Sequence, residues 1–267
     1  MHFPDAQVQL EAESRHSIER GLSLALEQNQ LVLHYQAQVD HEQKIQGFEA
    51  LIRWQHPHHG LLYPSAFIKI AEETKLINPI GQWALNETCK LLAQWSKDSD
   101  RSKWTISINV SPVQLEQPEF VHDVLSSIES AQIDPRFLCL ELTGSLIKNS
   151  HSSVKQKIQA LKTAGVRISL DHFGEGSVSP SEVEELPVDE LKIPAGYFKR
   201  IETEPKNAAV LKSIIEFGNI MKLRVIAEGI ETETQFRQLR DYGCCLFQGY
   251  YFGRPEPIDR FSNAGNC

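Results

Sequence analysis

A chain of 267 residues that is 41% hydrophobic is long enough to bury one barrel-sized core. Its formal charge of −8, from 35 acids against 27 bases with no Lys/Arg block, excludes a general affinity for polynucleotide phosphates. No apolar run approaches the ~20 residues of a membrane helix, and residues 1–6 lack the basic and apolar regions of a signal peptide.

The expectation is therefore a soluble, cytoplasmic domain that makes no membrane contact itself. It would be either a whole protein or one domain cut from a longer chain whose other parts could sit in a membrane. An acidic protein that binds a phosphate compound needs a focused site, usually with metal ions to offset the charge. The five cysteines are odd in number and show no C-x-x-C spacing, which reads as reduced, mostly buried thiols. Cys244 and Cys245 are adjacent and would point to opposite faces of a strand, which disfavours a bond between them.

In chain order, Ala6 to about Gln28 is helical in pattern, with Leu10, Ile18, Leu22 and Leu26 on one face. It is either a barrel-closing helix or the end of a linker. Strands are then predicted at Leu31–Gln36, Ile45–Arg53, Trp104–Val110, Phe137–Leu142, Val166–Asp171, Glu190–Ile193, Arg224–Ala227 and Leu246–Tyr250. Amphipathic stretches alternate with them: Pro64–Glu73, Gly81–Trp95, Phe120–Ala131, Ser153–Ala164, Ala208–Met221 and Glu233–Tyr242. Such alternation predicts an α/β fold, a TIM-like (β/α)₈ barrel. The joint Val39–Lys44 is too short for a crossover helix, so one strand should run antiparallel to the rest. The expected division is 1–28 helix or linker remnant, 29–258 barrel and 259–267 tail.

Core strands should be apolar, so their polar residues carry the information. Glu49, Asn109, Glu141, Asp171, Lys192, Glu228 and Gln248 fall in or at the ends of seven different strands. A lone acid at a strand end is most often a helix N-cap or a rim salt bridge. Seven polar strand positions gathered at the C-terminal mouth of a barrel are hard to explain one by one, because that mouth is where such folds keep their chemistry. Converging carboxylates repel without a cation, and all-oxygen ligands suit a hard ion such as Mg²⁺ or Mn²⁺.

At these residues the chain resembles the EAL family of cyclic di-GMP phosphodiesterases. The resemblance runs from about Leu31 to Pro257 and is carried by Glu49-Ala50-Leu51-Ile52-Arg53-Trp54, Asn109-Val110-Ser111, Glu141-Leu142-Thr143, Asp171-His172-Phe173-Gly174, Leu191-Lys192-Ile193, Ala227-Glu228-Gly229-Ile230-Glu231 and Gln248-Gly249-Tyr250. It implies hydrolysis of cyclic di-GMP to linear pGpG with two Mg²⁺ or Mn²⁺ ions. It also implies that Glu49, Asn109, Glu141 and Asp171 hold the first ion, and that Asp171 and Glu228 hold the second. Lys192 would orient the attacking water or offset phosphate charge, making Lys192 and Glu228 the catalytic pair. Gln36, Leu51 and Arg53 match positions that touch the dinucleotide, and Glu231 and Gln248 match supporting polar residues. The family further implies an upstream sensor or GGDEF-type domain in a longer chain, and a homodimer contact.

The chain departs from the family's pattern at three points. Active members carry two adjacent aspartates where this chain has Asp171-His172, so the second ion loses a carboxylate and gains, at most, a nitrogen donor. They carry a glutamate at Gly144, which steadies the following loop; here the loop reads Gly174-Glu175-Gly176, and Glu175 could reach back toward the gap. They carry an aspartate at Pro194. The loop Ser177–Glu185 is also unusually acidic, which bears on both the metals and the dimer contact. Three readings follow: a cyclic di-GMP receptor with weakened or absent turnover, a working phosphodiesterase, and a nucleotide-free interaction module. The run His56-Pro57-His58-His59 reads as a surface loop rather than a metal tract, and Trp54, Trp83, Trp95 and Trp104 as packing residues.

Overall fold

The computed structural model describes residues 17–144, 152–173, 180–198 and 205–261. Among these residues nine strands form a single sheet: β1 (Leu31–Val39), β2 (Ile45–His56), β3 (Gly60–Leu62), β4 (Thr105–Asn109), β5 (Leu138–Thr143), β6 (Arg167–Asp171), β7 (Glu190–Ile193), β8 (Arg224–Glu228) and β9 (Leu246–Gln248). Their order is β1-β9-β8-β7-β6-β5-β4-β2-β3, and β1 pairs again with β2, so eight strands close into a barrel with β3 as a short flap on β2.

Closure depends on β1, which is antiparallel to both β2 and β9 while the pairs from β2–β4 to β8–β9 are parallel. The β1–β2 hairpin forms because Asp40 Oδ1 accepts from the backbone N–H of Glu42 and Lys44 at 2.9 and 3.0 Å. That turn leaves no room for a helix, as the short joint requires. All eight predicted barrel strands form, Glu190–Ile193 with its predicted ends and the others with no end shifted by more than three residues.

Helices cover the outside, among them Ile77–Trp95, Phe120–Ala131, Ser152–Thr163, Pro205–Ile220 and Glu233–Asp241. The predicted segment Pro64–Glu73 divides into a 3₁₀ turn, Pro64–Ala66, and a helix, Ile68–Glu73. Helix Ile77–Trp95 starts four residues before the predicted Gly81. Two five-residue helices, Pro112–Glu116 and Pro180–Glu184, were not anticipated.

The main core lies between the strands and these helices. Phe48 is fully buried there, edge-on to Trp104 and Phe261 and tilted against Trp95. A smaller cluster sits beneath residues 17–25, which are helical and bury Ile18, Leu22 and Ala25 with Trp54, Phe67 and Ile80. Those residues therefore pack on the barrel; the rest of the predicted opening helix, from Ala6 to residue 16, lies outside the described residues. Cys89, Cys139 and Cys244 are buried free thiols and Cys245 is exposed, so the adjacent pair faces opposite ways without bonding. Among the described residues no helix is long and apolar enough to cross a membrane.

Candidate functional site

Strand register brings the polar residues to one layer inside the barrel. Glu49 lies opposite Gln36 across the hairpin and beside Ser107 of β4. Asn109 pairs with Glu141, Thr143 with Asp171, and Glu228 with Gln248. Gln36, Gln38, Glu49, Ser107, Glu141, Asp171, Lys192 and Gln248 are all buried. A layer of this composition is costly to bury unless every group finds a partner.

Lys192 is the hub. Its ammonium donates to Glu141 Oε2 at 2.5 Å and Glu49 Oε2 at 3.2 Å, and pairs with Glu228 Oε1 at 2.6 Å, on a side chain only 1% exposed. Glu49 also accepts from Gln248 Nε2 at 2.6 Å and Asn109 Nδ2 at 2.7 Å. Gln248 Nε2 donates to Gln36 Oε1 as well, and Gln38 Nε2 donates to Gln248 Oε1, each at 3.0 Å. This chain of amides fixes Glu49 from the antiparallel side of the barrel. With its nitrogen turned inward to Glu49, Asn109 leaves its amide oxygen for the cleft.

Four carboxylates, from Glu49, Glu141, Asp171 and Glu228, surround one lysine. Burial pushes Glu141 well above the usual carboxylate range and Glu228 up to about 7. Burial acts on Glu49 too, but Lys192, Gln248 and Asn109 outweigh it and hold that carboxyl low. Desolvation also opposes the charge on Lys192, yet Glu141, Glu228, Glu49 and Asp171 together raise its pKa well above the ordinary value.

The donor set fits a hard divalent cation. It is built of oxygens, carries more negative than positive charge, and contains one oxygen, Glu141 Oε1, that is buried without a hydrogen bond. Among the described residues no group of three His, Cys, Asp or Glu side chains is already arranged to hold a metal ion. The ammonium of Lys192 is the cation they share now, so an incoming ion must draw the carboxylates partly away from it.

Asp171 and His172 form a tight local pair. His172 Nδ1 lies 2.7 Å from Asp171 Oδ2, and the His172 backbone N–H donates to Asp171 Oδ1 at 2.8 Å. His172 occupies the left-handed region at φ 55, with its side chain 51% exposed. The buried Asp171 carboxyl is held low, because the hydrogen bond from His172 and the charge of Lys192 outweigh desolvation.

Above this floor opens a cleft of about 920 Å³, near the upper end of small-molecule pockets. Gln36, Leu51, Glu49, Asn109, Asp171, His172, Lys192, Glu228 and Gln248 reach it from below, and Pro64, Ile68, Lys69 and Glu72 form a wall. Arg53 and Glu231, which the resemblance assigns to the ligand, do not line it. Arg53 is buried under the Tyr63 ring at 4.9 Å and donates to the carbonyl of Ile52, while Glu231 is exposed on the loop after β8.

Two groups were missed in the sequence. Gln38 is one; it follows Gln36 by two residues and so shares its face, a signal that period-two alternation contains. The other is Ser111, whose hydroxyl donates to Glu72 on the wall at 2.7 Å and whose S-x-x-Q spacing forms a capping box with Gln114. Gly144 is buried, whereas Glu175 lies outside the described residues, so the clamp expected between them does too. Pro194 is buried and opens the 3₁₀ turn Ala195–Tyr197. His56 is also buried, and its Nδ1 accepts from the backbone N–H of His58 and His59, a role in loop structure.

A closed barrel with one antiparallel strand and an acidic, oxygen-donor mouth defines a class of TIM-like barrels with a carboxylate-rich pocket. The family model described as EAL domain matches residues 19–255, and the chain belongs to the EAL domain family. It is 35% identical, over 97% of its length, to the bifunctional diguanylate cyclase/cyclic di-GMP phosphodiesterase MucR of Pseudomonas aeruginosa, of which it covers 38%. It spans between 30% and 38% of the length of this and two further curated relatives. Among solved structures it superimposes on the MucR phosphodiesterase in complex with c-di-GMP with a TM-score of 0.88 and 36% identity, covering 92% of this chain and 99% of that one. The EAL enzyme Bd1971 in its cGMP-bound form gives the same TM-score at 30% identity, covering 96% of this chain and 70% of that one.

Proposed function

We propose that the chain binds cyclic di-GMP in the barrel-mouth cleft and hydrolyses it slowly or not at all. Support for binding comes from the cleft volume, from its polar floor, and from similarity to a phosphodiesterase solved with that ligand. The observation that carries the weakened turnover is the Asp171–His172 pair, in which a histidine replaces a carboxylate and already engages Asp171 Oδ2.

Glu49, Asn109, Glu141 and Asp171 would hold a first divalent ion, and Asp171 with Glu228 a second. Such ions, when bound, activate a water and stabilise charge on the phosphoryl oxygens. The protein's own contribution is positional. Gln36, Gln38 and Gln248 keep Glu49 aimed at the floor, and Lys192 neutralises the carboxylates while the site is metal-free. In a phosphate complex the same ammonium is placed to meet a developing negative charge.

Replacing a carboxylate by His172 removes one negative charge from the second-ion position. Charge stabilisation there matters most as the bond breaks, so the loss falls on turnover more than on ground-state affinity. Calorimetric titration with cyclic di-GMP and Mg²⁺ should therefore show binding near or modestly below that of an active family member. Restoring His172→Asp together with Gly144→Glu should raise turnover with little change in affinity. Rapid turnover by the unaltered chain would favour the working enzyme, and absence of binding would leave the interaction module.

A further inference from the structure

We propose that His172 is itself a metal ligand through Nδ1, and that it turns the position beside Asp171 into a mixed nitrogen–oxygen site that prefers a divalent transition ion to Mg²⁺. The inference rests on the reading of the cleft given above and deepens it.

Reach comes first. Nδ1 of histidine stands as many bonds from Cα as a carboxylate oxygen of aspartate does, so at one backbone position the two atoms sample similar places. The backbone at 172 is fixed from both sides. Its N–H is held by Asp171 Oδ1 at 2.8 Å, and the next N–H, of Phe173, donates to the carbonyl of Lys192 at 3.0 Å. A φ of 55 is uncommon for a residue with a Cβ and persists where its surroundings determine it. Here it keeps the imidazole on the cleft wall, with Nδ1 turned toward Asp171.

Distance comes second. Two neighbouring ligands of an octahedral ion with bonds of about 2.1 Å stand about 3.0 Å apart. Nδ1 and Asp171 Oδ2 are 2.7 Å apart, close to that edge. An ion held by both atoms would take the place of the proton they now share. The imidazole stays neutral by carrying its proton on Nε2, so the exchange adds no charge to the ring. Glu228, which lines the same cleft and whose carboxyl feels the charge of Asp171, would supply a further oxygen.

Donor chemistry decides the ion. Mg²⁺ keeps waters and carboxylates, whereas imidazole nitrogen favours first-row transition ions. A histidine that only hydrogen-bonds Asp171 would place no nitrogen on the metal, and the two roles give different spectra.

The test uses the whole chain with Mn²⁺ as the probe, in excess Mg²⁺ and without nucleotide, prepared with ordinary and with ¹⁵N-labelled histidine. Electron spin-echo modulation should show a directly bound imidazole nitrogen that changes with the label. That signal should vanish in His172→Asp and His172→Asn, both of which tolerate a positive φ. The Mn²⁺-over-Mg²⁺ preference should fall by about 10–100-fold in both variants, at least the loss seen when a mere supporting partner is removed. A Mn²⁺ spectrum without histidine coupling, or coupling that survives in both variants, overturns the proposal. Equilibrium binding of cyclic di-GMP to the same samples separates the two claims. Nucleotide binding without nitrogen coupling overturns the ligand role alone, and nitrogen coupling without nucleotide binding overturns the reading of the cleft.

Discussion

Lys192 is 1% exposed and ties together Glu49, Glu141 and Glu228, so its removal strands two buried acids and a half-buried one at once. Breaking a buried pair from one side costs about 3–5 kcal/mol. Lys192→Met should lower metal-free stability by about that amount in urea denaturation, and added Mn²⁺ should recover part of it by replacing the missing cation. Equal loss with and without the ion would mean that the acids do not converge on a metal position. At this scale much of the site was legible, because a charged residue inside an apolar strand is conspicuous: Glu49, Lys192 and Gln248 stand out in that way. Gln38 was not legible, because it lies beyond the predicted strand end at Gln36, in the last residues of β1. Arg53 and Glu231 lie apart from that layer. Their positions match a motif, while in this structure Arg53 stacks on the Tyr63 ring and Glu231 is exposed on the loop after β8.

Elements position these residues through a few tight backbone features. Gly249 follows Gln248 directly, and a Cβ there would lie 2.1 Å from the carbonyl oxygen of Ile230, which is backbone and cannot swing aside. Gly249→Ala should therefore destabilise the fold by about 1–3 kcal/mol and displace Gln248, seen as a lower thermal midpoint and weaker ligand binding together. Lys75 makes the contrary case. It follows helix Ile68–Glu73 at φ 62, where a side chain is strained and glycine is not. Lys75→Gly should stabilise the protein by up to about 1 kcal/mol in the same denaturation assay, the usual gain from relieving a left-handed residue after a helix. Long elements were legible because their periodicity is: Phe120–Ala131 appears with its predicted ends. Pro112–Glu116 was not, because five residues are too few to show a period. It is held by its capping box and by Lys157, whose ammonium bonds the carbonyls of Leu115, Glu116 and Gln117 from a distant helix. The flap Gly60–Leu62 escaped for the same reason, three residues being defined only by their pairing with β2.

The whole molecule is a barrel whose closure and chemistry share one strand. β1 seals the cylinder between β2 and β9 and also supplies Gln36 and Gln38, so assembly of the polar floor requires a closed barrel. The barrel class was readable from eight strands interleaved with helical stretches, and the antiparallel strand from one short joint; the polar network was not, because it depends on register across seven strands. A ligand that binds only the closed form must stabilise it. Cyclic di-GMP at about 100 times its Kd should add about 2.7 kcal/mol, a rise of about 5–10 °C in the thermal midpoint for a domain of this size. The most direct test of the central claim is one incubation of the protein with cyclic di-GMP and Mg²⁺, with bound nucleotide and released pGpG both quantified by chromatography over time. Near-stoichiometric bound cyclic di-GMP with little pGpG is expected, and faster pGpG release in the His172→Asp, Gly144→Glu double variant. Rapid conversion to pGpG by the unaltered chain, or no retained nucleotide at all, would contradict that claim.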